Sequence, residues 1–129
     1  MEYKEDYIKY RVDRSRQAIE DAKLSIDNDR LYNACNRIYY AIFYIVSALS
    51  AKNDFSTSKH KQLMGWFNYN FVRTGLVDQD ISTIYFEAFK LRQESDYEDF
   101  VEIEKSFVEQ KFTDMLAFVS EIEQIIKAN

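Results

Sequence analysis

Arg92 is the side chain whose presence is hardest to explain as packing, because it stands inside an apolar stripe of Ile81, Ile84, Tyr85, Ala88, Leu91 and Ser95 at spacings of three and four. A guanidinium cannot give up its proton, and burying it without an anion costs several kcal/mol, roughly. A negative group must therefore sit near it. Asp96, one turn later, can form a semi-buried bridge, although Arg before Asp is the weaker order for an i,i+4 pair. A phosphate is the alternative, matched by the fork of N–H donors.

His60 is the only histidine and so the only unperturbed side chain that titrates near neutral pH. It opens a second apolar stripe, where a histidine more often makes a structural hydrogen bond than does chemistry. A third cluster lies within YNACNRIYYAIFYIVSALS, residues 32–50. At about 100° per residue, Asn33, Asn36, Arg37, Tyr40, Tyr44 and Ser47 fall on one side and Cys35, Ile38, Ile42, Ile45, Val46 and Leu49 on the other. Arg37 beside Tyr39 and Tyr40 can hold a base or phosphate by stacking and hydrogen bonding. Such faces more often make helix or subunit contacts, with Asn and Tyr groups satisfying one another.

Other chemistry is poorly represented. One histidine and one cysteine make no zinc site, and the chain has no Gly-rich phosphate loop, nucleophile elbow or paired metal-binding aspartates. Neither metal nor cofactor is expected. Lys9, Arg11, Arg14 and Arg16 are interleaved with Asp13 and spread around their helix axis, which predicts no coherent basic stripe.

These residues must be positioned by helices. Two Gly and no Pro in 129 residues leave little room for hairpin turns, so the pattern predicts an all-α antiparallel bundle forming one domain, 1–129. Helices are expected over residues 3–27, 30–52, from an N-cap at Ser58 to a stop at Gly75, from a cap at Asp78 or Asp80 through Ser95, and over 104–127. The last repeats Val108, Phe112, Met115, Leu116, Val119, Ile122 and Ile126 inward.

A net charge of −5 and pI near 4.9 weigh against broad capture of nucleic acid, while leaving room for a local basic pocket. Cys35 cannot form an intrachain disulfide, and the charged start MEYKEDYIKYRVDR is unlike a signal peptide. The expectation is a cytoplasmic protein with no membrane span.

The order of these features resembles small prokaryotic HEPN-domain proteins, particularly the branch with an Arg-hydrophobic-Tyr-Tyr-Ala helix. The matching stretches are YNACNRIYYAIFYIVSAL (32–49), SKHKQL (58–63), FVRTGLVD (71–78) and LRQESDYEDF (91–100). The resemblance implies an antiparallel bundle of about five helices. It also implies a homodimer, often encoded beside a minimal nucleotidyltransferase that acts as partner or antitoxin.

Many such proteins are metal-independent ribonucleases whose motif is an Arg followed four to six residues later by His. The Arg would grip the scissile phosphate and the His would help move the 2′-hydroxyl proton. Here Arg92 is followed by Gln93, Glu94, Ser95, Asp96 and Tyr97, so the Arg carries over and the His does not. Tyr97 occupies the window but, with an ordinary pKa near ~10, shuttles protons poorly at neutral pH. By proximity Tyr97 is also a candidate for the tyrosine that partner enzymes adenylylate in some relatives.

The missing His directs the expectation toward a binding and interaction module. It would be the partner subunit of a minimal nucleotidyltransferase in a toxin–antitoxin-like pair, binding nucleotide or RNA phosphate through Arg92 with Arg37, Asn36, Tyr40 and Asp96. The alternative is a metal-independent endoribonuclease toxin using Arg92 with Tyr97 or His60.

Overall fold

The computed structural model describes residues 2–97 and 102–128, except for the side chains of Glu2 and Tyr97. The described residues form five α-helices and no strand: α1 (Glu2–Asp27), α2 (Leu31–Lys52), α3 (His60–Phe67), α4 (Gln79–Tyr97) and α5 (Lys105–Lys127). α3 runs directly into a π-type turn, Asn68–Val72, closed by the Arg73 N–H donating to the Asn68 carbonyl at 2.8 Å.

With so few glycines, the chain reverses on aspartates. Asp29 and Asp54 both adopt left-handed backbone, with φ of 57° and 60°. Each stands just past a helix, and the next residue closes back on the last turn: Arg30 N–H to Ser25 carbonyl at 2.7 Å, and Phe55 N–H to Ser50 carbonyl at 2.9 Å. Asn33 donates to Ser25 Oγ at 2.7 Å across the first reversal and fixes the α1–α2 hairpin. Gly75, with φ of 82°, serves the turn before α4.

α2 is the axis of the molecule, packing against α1, α3, α4 and α5. Ala18 and Ala22 of α1 and Ala34, Ala41 and Ala48 of α2 are all buried, and small side chains allow two helices to approach closely. Ser15 Oγ donates to the Ala41 carbonyl at 2.7 Å inside that contact. Ile42, Ile45, Val46 and Leu49 fill the centre beside Phe67, Tyr85, Phe118 and Ile122, each apolar side chain contributing about 1.5–3 kcal/mol by leaving water.

The two sides expected of α2 are there, with Cys35, Ile38, Ile42, Ile45, Val46 and Leu49 buried and Asn33, Asn36, Arg37, Tyr40 and Tyr44 at least partly exposed, and Ser47 is the departure. Ser47 and Ser50 are buried, and Ser50 is satisfied by donating to the Ser47 carbonyl at 3.0 Å. Other local expectations also shift. The N-cap position of α3 belongs to Lys59 rather than Ser58, because Thr57 Oγ1 takes the Lys59 N–H at 3.1 Å and donates to Gln62. Asp78 caps α4 through its carbonyl, which accepts from Ile81 at 3.0 Å, and Asp80 lies within the first turn. Leu116 is 40% exposed, because the core-facing stripe of α5 passes through Met115 and Phe118.

Polar links tie the outer helices together. Lys111 meets Glu87 at 2.6 Å, Lys105 meets Asp29 at 2.9 Å, Arg16 pairs with Glu123, and Lys52 donates to the Ile126 carbonyl. Among the described residues no helix is long and apolar enough to cross a membrane.

Candidate functional site

Tyr39 and Tyr40 are consecutive on α2, so their rings leave the helix in directions about 100° apart and meet edge to face at 5.2 Å. Tyr39 goes fully inward, and Tyr40 stays half-buried. Around this pair the structure gathers His60, the first residue of α3, and Arg92, from the last third of α4.

His60 packs against two rings that also touch each other, Phe43 at 4.5 Å and Tyr39 at 5.5 Å, with Tyr40 edge-on at 5.8 Å. Its Nδ1 is 2.7 Å from the Tyr39 hydroxyl. Burial, with a smaller contribution from Tyr40, drives the Tyr39 phenol well above its ordinary range, against a partial pull from Arg92. Tyr39 therefore keeps its proton, and the phenol and Nδ1 share one hydrogen bond whose donor is set by the tautomer of the ring. Burial first, and then the Arg92 charge, hold the His60 pKa below its ordinary 6.5, so at neutral pH the ring is uncharged.

Arg92 has 19% of its side chain exposed, and its guanidinium carbon lies 5.7 Å from the Tyr39 centroid and 5.5 Å from that of Tyr40. Arg37 reaches the same Tyr40 ring at 5.2 Å, steered by two N–H bonds to Asn36 Oδ1 at 3.1 and 2.7 Å. Two guanidiniums thus share one aromatic ring. Asp96 lies 2.9 Å from Arg92 Nε, close enough for an ion pair, yet the carboxylate is off the N–H axis and that buried N–H donates no hydrogen bond among the described residues. We take the pair as electrostatic contact without a directed bond. Behind it, Cys35 packs against Ser95, and burial pushes its thiol pKa up, as suits a packing residue.

The structure therefore brings together Arg92, Asp96, Arg37, Asn36, Tyr40 and His60. It also places Tyr39, expected beside Arg37, against the histidine and recruits Phe43, which spacing alone did not single out. Tyr97 closes α4, but its side chain lies outside the described ones. A groove of about 560 Å³ lies elsewhere, between α4 and the start of α5, and does not include Arg92. Its lining carries Glu87, Glu94, Glu102 and Glu104 against Lys90 and Lys111, a balance unsuited to phosphate.

One expectation is corrected on α1. Arg11 and Arg14 do turn to one side, where Arg11 Nε donates to the Tyr7 hydroxyl at 3.0 Å and Arg14 donates to Tyr10 at 3.2 Å and Tyr44 at 3.0 Å. The Tyr7–Arg11 and Tyr10–Arg14 spacings of four were visible in sequence; their meeting with Tyr44 of α2 was not.

These elements define an all-α bundle with a polar aromatic cluster beside its central helix. The family profile described as HEPN domain matches residues 8–128, and the chain belongs to that family. A UPF0332 protein of Thermotoga maritima is 40% identical over 127 residues, covering 98% of this chain and 96% of its own. "Putative toxin MJ0142" of Methanocaldococcus jannaschii is 34% identical over 98 residues, covering 70% and 67%. A UPF0332 protein of Archaeoglobus fulgidus is 25% identical over 124 residues, covering 96% and 98%.

Proposed function

We propose that this chain is a HEPN-type binding and interaction module that holds a nucleotide or RNA phosphate at Arg92 and works as the partner subunit of a minimal nucleotidyltransferase in a toxin–antitoxin-like pair. The observation that carries the reading is the convergence of Arg37 and Arg92 on Tyr40 with Asp96 as the neighbouring carboxylate. Two guanidiniums with one carboxylate beside them leave an excess of positive charge, which an incoming anion offsets through the donor forks of the arginines. Family membership and the toxin name borne by a relative support the two-component part.

Calorimetric titration with adenosine monophosphate tests the site: Arg92→Gln should weaken binding at least about tenfold, the loss of roughly one charge-assisted bond. Unchanged affinity in Arg92→Gln would remove the site. Affinity recovery of the tagged chain from its native host tests the partner, and no nucleotidyltransferase in the eluate would count against the pairing.

The alternative, an endoribonuclease, is favoured by one observation: His60 from α3 gathers on the same tyrosines as Arg92, although the two are distant in sequence. With Nδ1 engaged by Tyr39, only Nε2 is left to act as a base, and only in the tautomer that carries its hydrogen on Nδ1. RNA cleavage in chelator that disappears in both Arg92→Ala and His60→Gln would establish the alternative.

A further inference from the structure

We propose that an arginine–tyrosine ladder running from α1 across α2 to Arg92 is a track for a single-stranded polynucleotide, with Arg11 and Arg14 as a phosphate-gripping rung outside the Arg92 site. The proposal rests on the reading of Arg92 as an anion site. Its rungs are continuous: the Arg14 and Arg11 guanidiniums lie 4.9 and 5.5 Å from the Tyr44 ring, Tyr44 is 5.7 Å from Tyr40, and Tyr40 meets Arg37 and Arg92.

The chemistry of the rungs is what distinguishes them from ordinary surface charge. Arg16, on the same helix, is neutralised by Asp13 and Glu123. Among the described residues Arg11, Arg14 and Arg37 have no carboxylate within ion-pair distance, in a chain whose net charge is −5. Their hydrogen-bond partners are phenols and one amide, which orient a guanidinium without cancelling its charge. Arg11 spends one N–H on Tyr7 and Arg14 two on Tyr10 and Tyr44, so the rest of each five-donor fork remains for phosphate oxygens.

Tyr10 is 52% exposed and offers a stacking face beside these cations. Aromatic platforms alternating with cations are the means by which single strands are held with little sequence preference. A narrow basic strip on a chain of net charge −5 suits one flexible strand better than a rigid duplex, whose two backbones call for a broad basic face.

The test is fluorescence anisotropy of the full chain with a labelled, unstructured oligonucleotide of about twelve nucleotides, as RNA and as DNA. Adenosine monophosphate is titrated in parallel by calorimetry. The double variant Arg11→Gln, Arg14→Gln should bind the oligonucleotide at least about tenfold more weakly, and its salt slope should fall by about 1.4, from two lost phosphate contacts. Mononucleotide affinity should not move. Tyr44→Phe, which keeps the ring but removes an acceptor that aligns Arg14, should give a smaller loss in the same direction and covers the case of a misfolded double variant.

Wild-type affinity and slope in the variants would overturn the track. A wild type that binds the mononucleotide but neither oligonucleotide overturns the track and leaves the Arg92 site standing, whereas one that binds none of the three removes both. A change of sedimentation from dimer to monomer in the double variant, with oligonucleotide binding unaltered, would also overturn the track by assigning the strip to contact between copies. RNA preferred over DNA would add reading of the 2′-hydroxyl to the supported track, and equal binding would support backbone and stacking recognition.

Discussion

His60 shows how one hydrogen bond can decide a residue's role. Held by Tyr39 and lowered in pKa by burial and Arg92, it is neutral in the folded protein under conditions where the unfolded chain, at about 6.5, takes up a proton. The unfolded state then binds more protons, so the His60 contribution is fully present above pH ~6.5 and is lost as pH falls through the lower folded value. Urea melts at pH 7.5 and pH 5 should therefore show His60→Gln costing more at the higher pH; an equal cost at both would mean that the ring is not buried neutral. Tyr85 carries the opposite lesson. It is fully buried among Phe67, Phe118 and the Tyr39 side of the core, with a hydroxyl that has no partner among the described residues. An unpaired buried hydroxyl costs about 1–3 kcal/mol, so Tyr85→Phe should raise unfolding free energy by about 1 kcal/mol in denaturant titration. A loss of stability would reveal a hydrogen bond to that oxygen in solution.

At the scale of elements, the helices end where aspartate takes a glycine's conformation. Asp29 and Asp54 pay for left-handed backbone with part of the 1–2 kcal/mol or so that a Cβ costs there. Asp54→Gly should raise stability by roughly 0.5–1 kcal/mol by urea titration, because the Lys4 pair it removes, at 3.0 Å with Asp54 83% exposed, contributes little. If the variant loses stability, that ion pair matters more than the backbone. Helix existence and order were legible in the sequence, since stripes at three and four spacing in a chain with two Gly and no Pro admit little else. The burial of Ser47 was not, because it looks polar on a helical wheel and is enclosed only by the helices packed around α2. The π-type turn at Asn68–Val72 has the same origin, with Ser82 of α4 donating to Asn68 at 2.8 Å.

For the whole molecule, the proposed homodimer is checked by sedimentation velocity. Arg37 stands with Arg92 at Tyr40, so Arg37→Glu should abolish adenosine monophosphate binding while leaving the sedimentation coefficient unchanged. A shift to monomer would instead give the polar face of α2 to subunit contact. By itself the sequence determined the all-α bundle, the order of its helices and the oddity of Arg92, because each follows from local periodicity or from residue type, while the HEPN resemblance came from the order of four motifs. Only the tertiary structure decided that His60 reaches the tyrosines that Arg92 covers, and that Arg11 and Arg14 meet Tyr44 in a strip. Those meetings join α1, α2, α3 and α4 across 20 to 60 positions, roughly, and side-chain periodicity within one helix carries no information about which face of another it will find.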